Sequence, residues 1–198
     1  MPAIAVIPVK QFSLGKGRLA EILSPTARAD LGRALATRTA QITVDAGMEP
    51  LIVAGDDEVD SWALGHGFQV AHDSGAGLNG AARIGVEWCV ERSRTWIVVH
   101  ADLPLLIAPD VSALLTTMEG GAPAVVAPSS DGGTSALGAT ADPPVFQYGV
   151  ASFRRHLVRL PDAQVVPRVG LLHDLDTPAD LESARKHPRG EWINSLID

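Results

Sequence analysis

The first segment of the sequence that could do chemistry is a loop of cations and glycines near the N-terminus. It spans residues 10–18, directly after an apolar stretch, and contains Lys10, Lys16 and Arg18 with two glycines. Glycine lets the backbone approach an anion closely, and the cations can neutralise a polyphosphate. The spacing is not that of a P-loop, because Gly17 stands where Ser or Thr would hold magnesium. The loop predicts a phosphate site, and a solvated basic turn is the alternative.

A second glycine-rich loop spans residues 73–80 and contains Gly75, Gly77 and Gly80. It ends where a helical pattern begins, and Asn79 is the predicted N-cap of a helix over residues 79–91. Backbone N–H groups at a helix start suit phosphates, and the absence of side chains suits the flat face of a ligand. The loop predicts a binding surface, and a structural turn is the alternative.

Acidic side chains at two places in the chain predict a metal site. Asp102 follows a buried strand, where a carboxylate is costly unless it is paired or bound to metal. Magnesium takes few carboxylates and completes its shell with substrate phosphates. Asp174 is the preferred second ligand, because Asp176 precedes Thr-Pro and can be a plain helix cap. A cap is also the alternative for Asp102. His100 lies on the same strand face as Asp102, and both packing and contact with a nucleotide stay open as its role.

A third glycine-rich loop is predicted over residues 131–138, and it is rich in hydroxyl groups. A helix is predicted to follow over residues 152–160. Thr134, the backbone of Gly149 and Ser152 are placed to hold a phosphate or a carboxylate at the start of that helix.

The elements that must position these residues alternate along the chain. Short apolar runs predict strands buried on both faces, and stretches with helical spacing separate them. Such alternation predicts a largely parallel sheet with helices on both faces, whose ligands bind at the carboxyl ends of the strands. The strands are predicted at residues 3–9, 51–54, 68–71, 95–100 and 124–127, and the helices at 25–46, 59–64, 79–91 and 109–118. After Pro128 we predict strands at 145–148 and 164–169 and helices at 152–160 and 178–186.

Composition narrows the classes of protein that are compatible with the chain. Its 198 residues suit one domain, which we divide into a nucleotide-binding core (residues 1–128) and an acceptor-binding cap (residues 129–198). A net charge of −7 with scattered cations argues against a nucleic-acid polymer as partner. The single cysteine, Cys89, lies in a helical apolar pattern and is expected to be a buried thiol. No apolar run reaches the length of a membrane span, so the cytoplasm is the expected location and no membrane partner is expected.

Six short stretches cover nearly the whole chain: IPVK at 7–10, GKGRL at 15–19, GLN at 77–79, ADLPL at 101–105, GGT at 132–134 with AL at 136–137, and DLDTPADL at 174–181. Taken in order, these stretches resemble the phosphoenolpyruvate and 2-phospho-L-lactate guanylyltransferases of deazaflavin coenzyme F-420 biosynthesis. The chain departs from that pattern at Gly17, where the family has Ser, and at Ser135, where it has Asn.

The resemblance implies a three-layer α/β/α fold of the nucleotide-diphospho-sugar transferase type. It also implies a nucleotidyltransferase that uses GTP, Mg²⁺ and a small phosphorylated carboxylic acid. The implied metal ligands are Asp102 and Asp174, and the implied acceptor residues are Thr134, Gly149 and Ser152. Lys16 and Arg18 would act with Asp102 in catalysis. The implied nucleotide-binding residues are Pro8, Lys10, Lys16, Gly77, Leu78, Asn79 and His100.

The expected reaction is attack of the acceptor's phosphate on the α-phosphorus of GTP. Phosphoenolpyruvate is the favoured acceptor. The Ala- and Arg-rich composition is typical of a GC-rich genome, and the resembled phosphoenolpyruvate guanylyltransferases are the actinobacterial members of the family. The same chemistry on 2-phospho-L-lactate or 3-phosphoglycerate stays open, and so does a homodimer. A nucleotidyltransferase acting on a molybdopterin or a sugar phosphate is a further alternative. An alternative of another class is a catalytically silent GTP-binding regulatory protein.

Overall fold

The computed structural model describes residues 1–13, 15–73, 75, 77–140 and 145–197. The predicted loops at residues 10–18 and 73–80 therefore include positions 14, 74 and 76, which lie outside the described residues. The strands are β1 (Ile4–Val9), β2 (Glu49–Ala54), β3 (Gln69–His72), β4 (Trp96–Val99), β5 (Ala124–Pro128), β6 (Thr134–Ala139) and β7 (Gln164–Val165). The α-helices are α1 (Pro25–Asp45), α2 (Asp57–Gly65), α3 (Gly77–Val90), α4 (Ala108–Glu119), α5 (Ser152–Arg159), α6 (Val169–Leu172), α7 (Pro178–Lys186) and α8 (Asn194–Ile197). Two 3₁₀ helices span Gly17–Leu19 and Pro188–Ile193.

These strands form one sheet in the order β3-β2-β1-β4-β6-β5-β7. Strand β1 lies parallel to β2 and β4, β2 is parallel to β3, and β5 is parallel to β7. Strand β6 alone, among the strands described, runs antiparallel to both of its neighbours. The mostly parallel α/β sheet predicted from the alternation of elements is confirmed.

Apolar side chains cover both faces of the sheet, as the continuous apolar strands require. On one face the strands pack against α1, α2 and α4, through residues such as Ala40, Trp62 and Leu114. On the other face they pack against α3 and α5, through residues such as Val86 and Leu157. The predicted three-layer arrangement is therefore confirmed.

The start and the end of α1 follow from local chemistry that the sequence shows. The Ser24 hydroxyl accepts a hydrogen bond from the Ala27 N–H at 3.1 Å, and Pro25 occupies the first helical turn. Gly47 follows the helix with a φ of +83°, a conformation that glycine adopts without strain. Cys89 is buried in α3, as expected, and burial raises the pKa of its thiol to about 12.

The predicted loop at residues 131–138 is wrong, because most of it forms β6. The turn between β5 and β6 is too short for a parallel crossover, so β6 pairs back onto β5 and fits between β5 and β4. Its small residues have little intrinsic strand preference, and pairing on both sides decides its conformation. The chain therefore contributes to the sheet on both sides of Pro128, although its division there into core and cap stays a prediction.

The remaining differences lie in short elements toward the C-terminus. The predicted strand at residues 145–148 is absent from this described segment, whose backbone is held by side chains instead. The strand predicted over residues 164–169 is limited to Gln164–Val165, and α6 begins at Val169. Among the described helices, none is long and apolar enough to cross a membrane.

Candidate active site

A cleft of about 270 Å³ lies over the carboxyl ends of β1 and β4. The 10–18 loop and α1 form one wall, and the segment that follows β4 forms the other. Several of the predicted nucleotide-binding and metal-binding residues line it, namely Pro8, Lys10, Lys16, Leu78, His100, Asp102 and Asp176. The position at the ends of parallel strands is the one expected for ligands in open α/β sheets.

The Lys16 ammonium group is the central cation of the cleft. Its Nζ lies 2.9 Å from Asp102 Oδ2 and 3.3 Å from Asp176 Oδ1, and its side chain is only 10% exposed. Burial by itself would lower the pKa of Lys16, but the charges of Asp102 and Asp176 outweigh burial and raise it. Lys16 is therefore a fixed positive charge, held where the first strand and the fourth strand end.

The Asp102 carboxylate has one oxygen paired and one oxygen free. Asp102 Oδ2 accepts from Lys16, whereas Oδ1 is buried without a hydrogen-bond partner among the described residues. Burial would raise the pKa of Asp102, but the charge of Lys16 and the hydrogen bond from it lower that pKa below its ordinary value. A buried, ionised and unpaired oxygen is costly, so its position fits an additional cation.

Asp174 lies close enough to this carboxylate for their charges to interact. Burial, followed by the negative charge of Asp102, raises the pKa of Asp174 to about 6, and Asp131 and Asp176 contribute in the same direction. In the part of the chain that the structure describes, no three metal-ligating side chains converge. Magnesium commonly takes one or two protein carboxylates and completes its shell with water and phosphate oxygens. The carboxylates of Asp102 and Asp174 therefore have the ligand chemistry that a magnesium ion takes.

We expect Asp174→Asn to stabilise the metal-free protein at neutral pH. The pKa of Asp174 is about 6 in the folded chain and is near 4 when unfolded, so its deprotonation disfavours folding. The gain is absent below about pH 4, grows between about pH 4 and 6, and is full above that. Because Asp174 is only partly buried, solvent screening reduces the effect to about 1 kcal/mol, or about 2–4 °C in melting temperature. Thermal unfolding with EDTA at pH 4 and pH 7.5 measures it, and an equal destabilisation at both pH values would contradict it.

Two predicted residues occupy the margin of the cleft. Arg18 is 75% exposed at the side chain, and its Nη1 lies 4.0 Å from Asp176. His100 is neutral, because burial lowers the pKa of its imidazole, and its buried Nε2 has no partner among the described residues. His100 packs at 5.0 Å from the Tyr148 ring and also lines the cleft, and its contact with a nucleotide stays a prediction.

The predicted N-cap role of Asn79 is wrong, because α3 begins two residues earlier, at Gly77. Its side chain instead bridges to a distant segment. Asn79 Oδ1 accepts from the Tyr148 N–H at 2.7 Å, and Asn79 Nδ2 donates to the Tyr148 carbonyl at 3.4 Å. The second glycine-rich loop is thereby tied to the segment that leads into Gly149.

The three predicted acceptor residues gather at the start of α5. Gly149 has a φ of +115°, and its carbonyl accepts from the Ser152 N–H at 3.0 Å. Thr134 begins β6 and reaches α5 through His156, whose Nδ1 lies 2.9 Å from Thr134 Oγ1. Ser135, where the sequence departs from the resembled family, is buried, and its hydroxyl faces the Ala127 carbonyl.

Tyr148 and His156 were not among the predicted site residues. Both are buried, and their rings pack edge to face at 5.0 Å between the acceptor residues and His100. The predicted helix over residues 152–160 includes His156, but the contact of His156 with Thr134 crosses 22 positions of the chain. No local pattern in the sequence signals such a contact.

Comparison with solved structures identifies the fold. The fold matches a structure from Desulfovibrio desulfuricans G20 assigned to the nucleotide-diphospho-sugar transferases, with a TM-score of 0.76 and 18% identity over 100% of this chain and 97% of that one. It also matches a nucleotidyl transferase from Methanothermobacter thermautotrophicus, with a TM-score of 0.65 and 14% identity over 98% and 99% of the two chains. At these identities the likeness concerns the fold, which is that of the nucleotidyltransferases.

Comparison of sequences then gives the family. Residues 3–182 match the family described as guanylyl transferase CofC like. A phosphoenolpyruvate guanylyltransferase of Sphaerobacter thermophilus is 33% identical over 94% of each chain. A 2-phospho-L-lactate guanylyltransferase of Methanothermobacter thermautotrophicus is 28% identical over 100% of this chain and 90% of its own. The chain belongs to the guanylyl transferase CofC like family, and it is a nucleotidyltransferase.

Proposed function

We propose that the protein transfers GMP from GTP to the phosphate of phosphoenolpyruvate, in coenzyme F-420 biosynthesis. The products are enolpyruvoyl-2-diphospho-5′-guanosine and pyrophosphate. The observation that carries the proposal is the pairing of Lys16 with Asp102 in the cleft, with one Asp102 oxygen left unpaired. This combination suits a polyphosphate and a divalent cation, and family membership supplies the preference for guanine.

In this proposal GTP lies across the ends of β1 and β4. Pro8, Lys10 and His100 line the cleft with Leu78, and Gly77 and Asn79 flank Leu78 at the start of α3. The glycine at position 77 has a φ of +69° and presents backbone without a side chain. Lys16 neutralises the triphosphate, and Arg18, which is exposed at the rim, receives the leaving pyrophosphate.

The chemistry is an in-line displacement at phosphorus. An oxygen of the acceptor's phosphate attacks the α-phosphorus of GTP, the bond from the α-phosphorus to the bridging oxygen of the β-phosphate breaks, and pyrophosphate leaves with the electron pair. A phosphate ester has its second pKa near ~6 and is mostly ionised at neutral pH, so the attack needs no general base. The enzyme then supplies positioning and neutralisation of charge.

Asp102 and Asp174 would hold the magnesium ion in this scheme, with Asp176 as the weaker candidate. A bound magnesium ion would neutralise charge on the phosphates and on the leaving group. Lys16 already pairs with Asp102 and Asp176, so it holds the two carboxylates in place beside the phosphate site. Burial, and then the negative charges of Asp102, Asp131 and Asp176, raise the pKa of Asp174, and this excess of carboxylates favours a divalent cation.

The acceptor acid would bind at Thr134, Gly149 and Ser152, at the start of α5. The Sphaerobacter relative supports phosphoenolpyruvate as the acceptor. 2-Phospho-L-lactate is the second candidate, because the Methanothermobacter relative is named for it and matches the full chain. Both acids carry a phosphate and a carboxylate, and they differ at the carbon between these two groups. No described charged group distinguishes the two acids at that carbon.

Pyrophosphate release tests the proposal. The protein is incubated with GTP and magnesium and with phosphoenolpyruvate, 2-phospho-L-lactate or 3-phosphoglycerate in parallel, and ATP replaces GTP in a control. We expect pyrophosphate release only when the acid is phosphoenolpyruvate and the nucleotide is GTP. Pyrophosphate release only with another acid would identify that acid as the substrate instead. Tight GTP binding with no release for any acid would support the regulatory alternative instead.

A further inference from the structure

His156 is a buried imidazole that the proposed chemistry does not use. It lies in α5 with 0% of its surface exposed, and both ring nitrogens have hydrogen-bond partners. Nδ1 lies 2.9 Å from Thr134 Oγ1, and Nε2 lies 2.9 Å from the backbone N of Gln147. A buried histidine with two defined contacts has a determined proton arrangement.

The direction of each hydrogen bond follows from its donors. The Gln147 backbone N–H can only donate, so His156 Nε2 must accept and carries no proton. The neutral ring then has its proton on Nδ1, which donates to Thr134 Oγ1. Burial lowers the pKa of His156 to about 4, with a contribution from the charge of Arg155, which agrees with a neutral ring.

This arrangement leaves the Thr134 hydroxyl proton free to be donated elsewhere. The only side-chain hydrogen bond of Thr134 among the described residues is the one with His156. Because its oxygen accepts from His156, the hydroxyl must turn its own proton toward another acceptor. An anionic oxygen is the strongest acceptor for such a donor.

Thr134 also lies near the end of β4, the strand that leads to Asp102. It begins β6, which pairs with β4 at Val99 and Ala136. Beyond this pair, the His100 N–H donates to the Ser135 carbonyl at 2.9 Å, so Thr134 lies next to the strand end that leads to Asp102. Ser152 begins α5 one turn before His156, and its N–H donates to the Gly149 carbonyl.

We propose that His156 is a positioning residue that holds the Thr134 hydroxyl as a hydrogen-bond donor to an anionic oxygen of the acceptor acid. The inference rests on the proposed function, because the acceptor is the ligand that receives the bond. His156 itself does not contact the substrate. Because His156 donates to Thr134 Oγ1 through Nδ1, the Thr134 hydroxyl cannot donate its own proton to His156.

A double-mutant cycle tests whether His156 acts through Thr134. His156→Phe and Thr134→Val are each expected to raise KM for the acceptor about tenfold, the value of one hydrogen bond to a charged group, and to leave KM for GTP unchanged. The double variant is expected to match Thr134→Val alone. His156→Gln, which can accept from Gln147 and donate to Thr134, is expected to stay within about threefold of the unmodified protein. The proposal would be overturned if the double variant raised KM for the acceptor by the product of the two single effects. An equal rise in KM for GTP would also overturn it.

Nitrogen-15 NMR of the histidine-labelled, unmodified protein tests the proton arrangement without any substrate. The spectrum of the His156→Gln variant serves only to assign the His156 signal. A neutral ring protonated at Nδ1 at pH 7 is expected. Protonation at Nε2, or at both nitrogens, would overturn the role of His156 even if every kinetic assay succeeds. Absence of turnover with all three acids would refute the proposed function instead, and with it the acceptor as the ligand of Thr134.

Discussion

The Asp102→Asn variant is expected to lose guanylyl transfer by roughly a thousandfold while it keeps its fold. Asn has nearly the same volume and can still accept from Lys16, so the packing at the end of β4 is preserved. What is lost is the negative charge on a buried oxygen that has no partner within the described structure. Without that charge the site no longer attracts a divalent cation, and the developing charge on pyrophosphate is not neutralised.

The measurement is kcat/KM for GTP over a series of magnesium concentrations, with the fold checked by circular dichroism. Asp45→Asn is a matched control, because Asp45 is exposed at the end of α1 and accepts only from Gln41 among the described contacts. The control should keep its activity. If Asp102→Asn retains activity within tenfold of the unmodified protein, the proposed metal site is wrong.

Lys16→Met is expected to have the second largest effect, a loss of about a hundredfold in kcat/KM for GTP. Lys16 is the buried cation of the cleft, and no other described cation lies within hydrogen-bonding distance of Asp102. The substitution removes the charge that would face the triphosphate, and methionine keeps most of the side-chain volume. Lys16→Arg is expected to recover part of the activity, because its charge is kept but its planar group fits the two carboxylates differently.

The Lys16→Met variant also gives a result on stability that is independent of its activity. In EDTA, loss of Lys16 leaves Asp102 buried without its partner, and we expect a destabilisation of about 1–3 kcal/mol at neutral pH. Magnesium is expected to restore part of this stability, because it replaces the lost positive charge. Lys186→Met, which removes an exposed pair with Glu182, should change neither activity nor stability measurably. An Lys16→Met protein with full activity would contradict the assignment of Lys16 to the triphosphate.

The amino-acid sequence by itself determined much of the fold, because the decisive signals are local. Continuous apolar runs predicted the strands β1 and β4, and the Ser24-Pro25 start predicted α1. These signals are strong because burial on both faces and helix capping act over a few neighbouring residues. The loops that would carry chemistry also follow from composition, since glycines and charges are concentrated directly after strands.

Tertiary structure decided how those loops meet. Lys16 and Asp102 are 86 positions apart, and Lys16 and Asp176 are 160 apart, so no spacing rule could pair them. Lys16 and Asp102 meet because β1 and β4 are neighbours in the sheet and end at the same edge. Asp176 is brought beside them by the preceding residue, because the Leu175 N–H donates to the Asp102 carbonyl at 3.0 Å. Strand β6 shows the same limit, because its small residues become a strand only when β4 and β5 lie on either side. The bond between His156 and Thr134 likewise exists only after α5 packs against the sheet, since contacts between distant residues depend on packing and not on local preference.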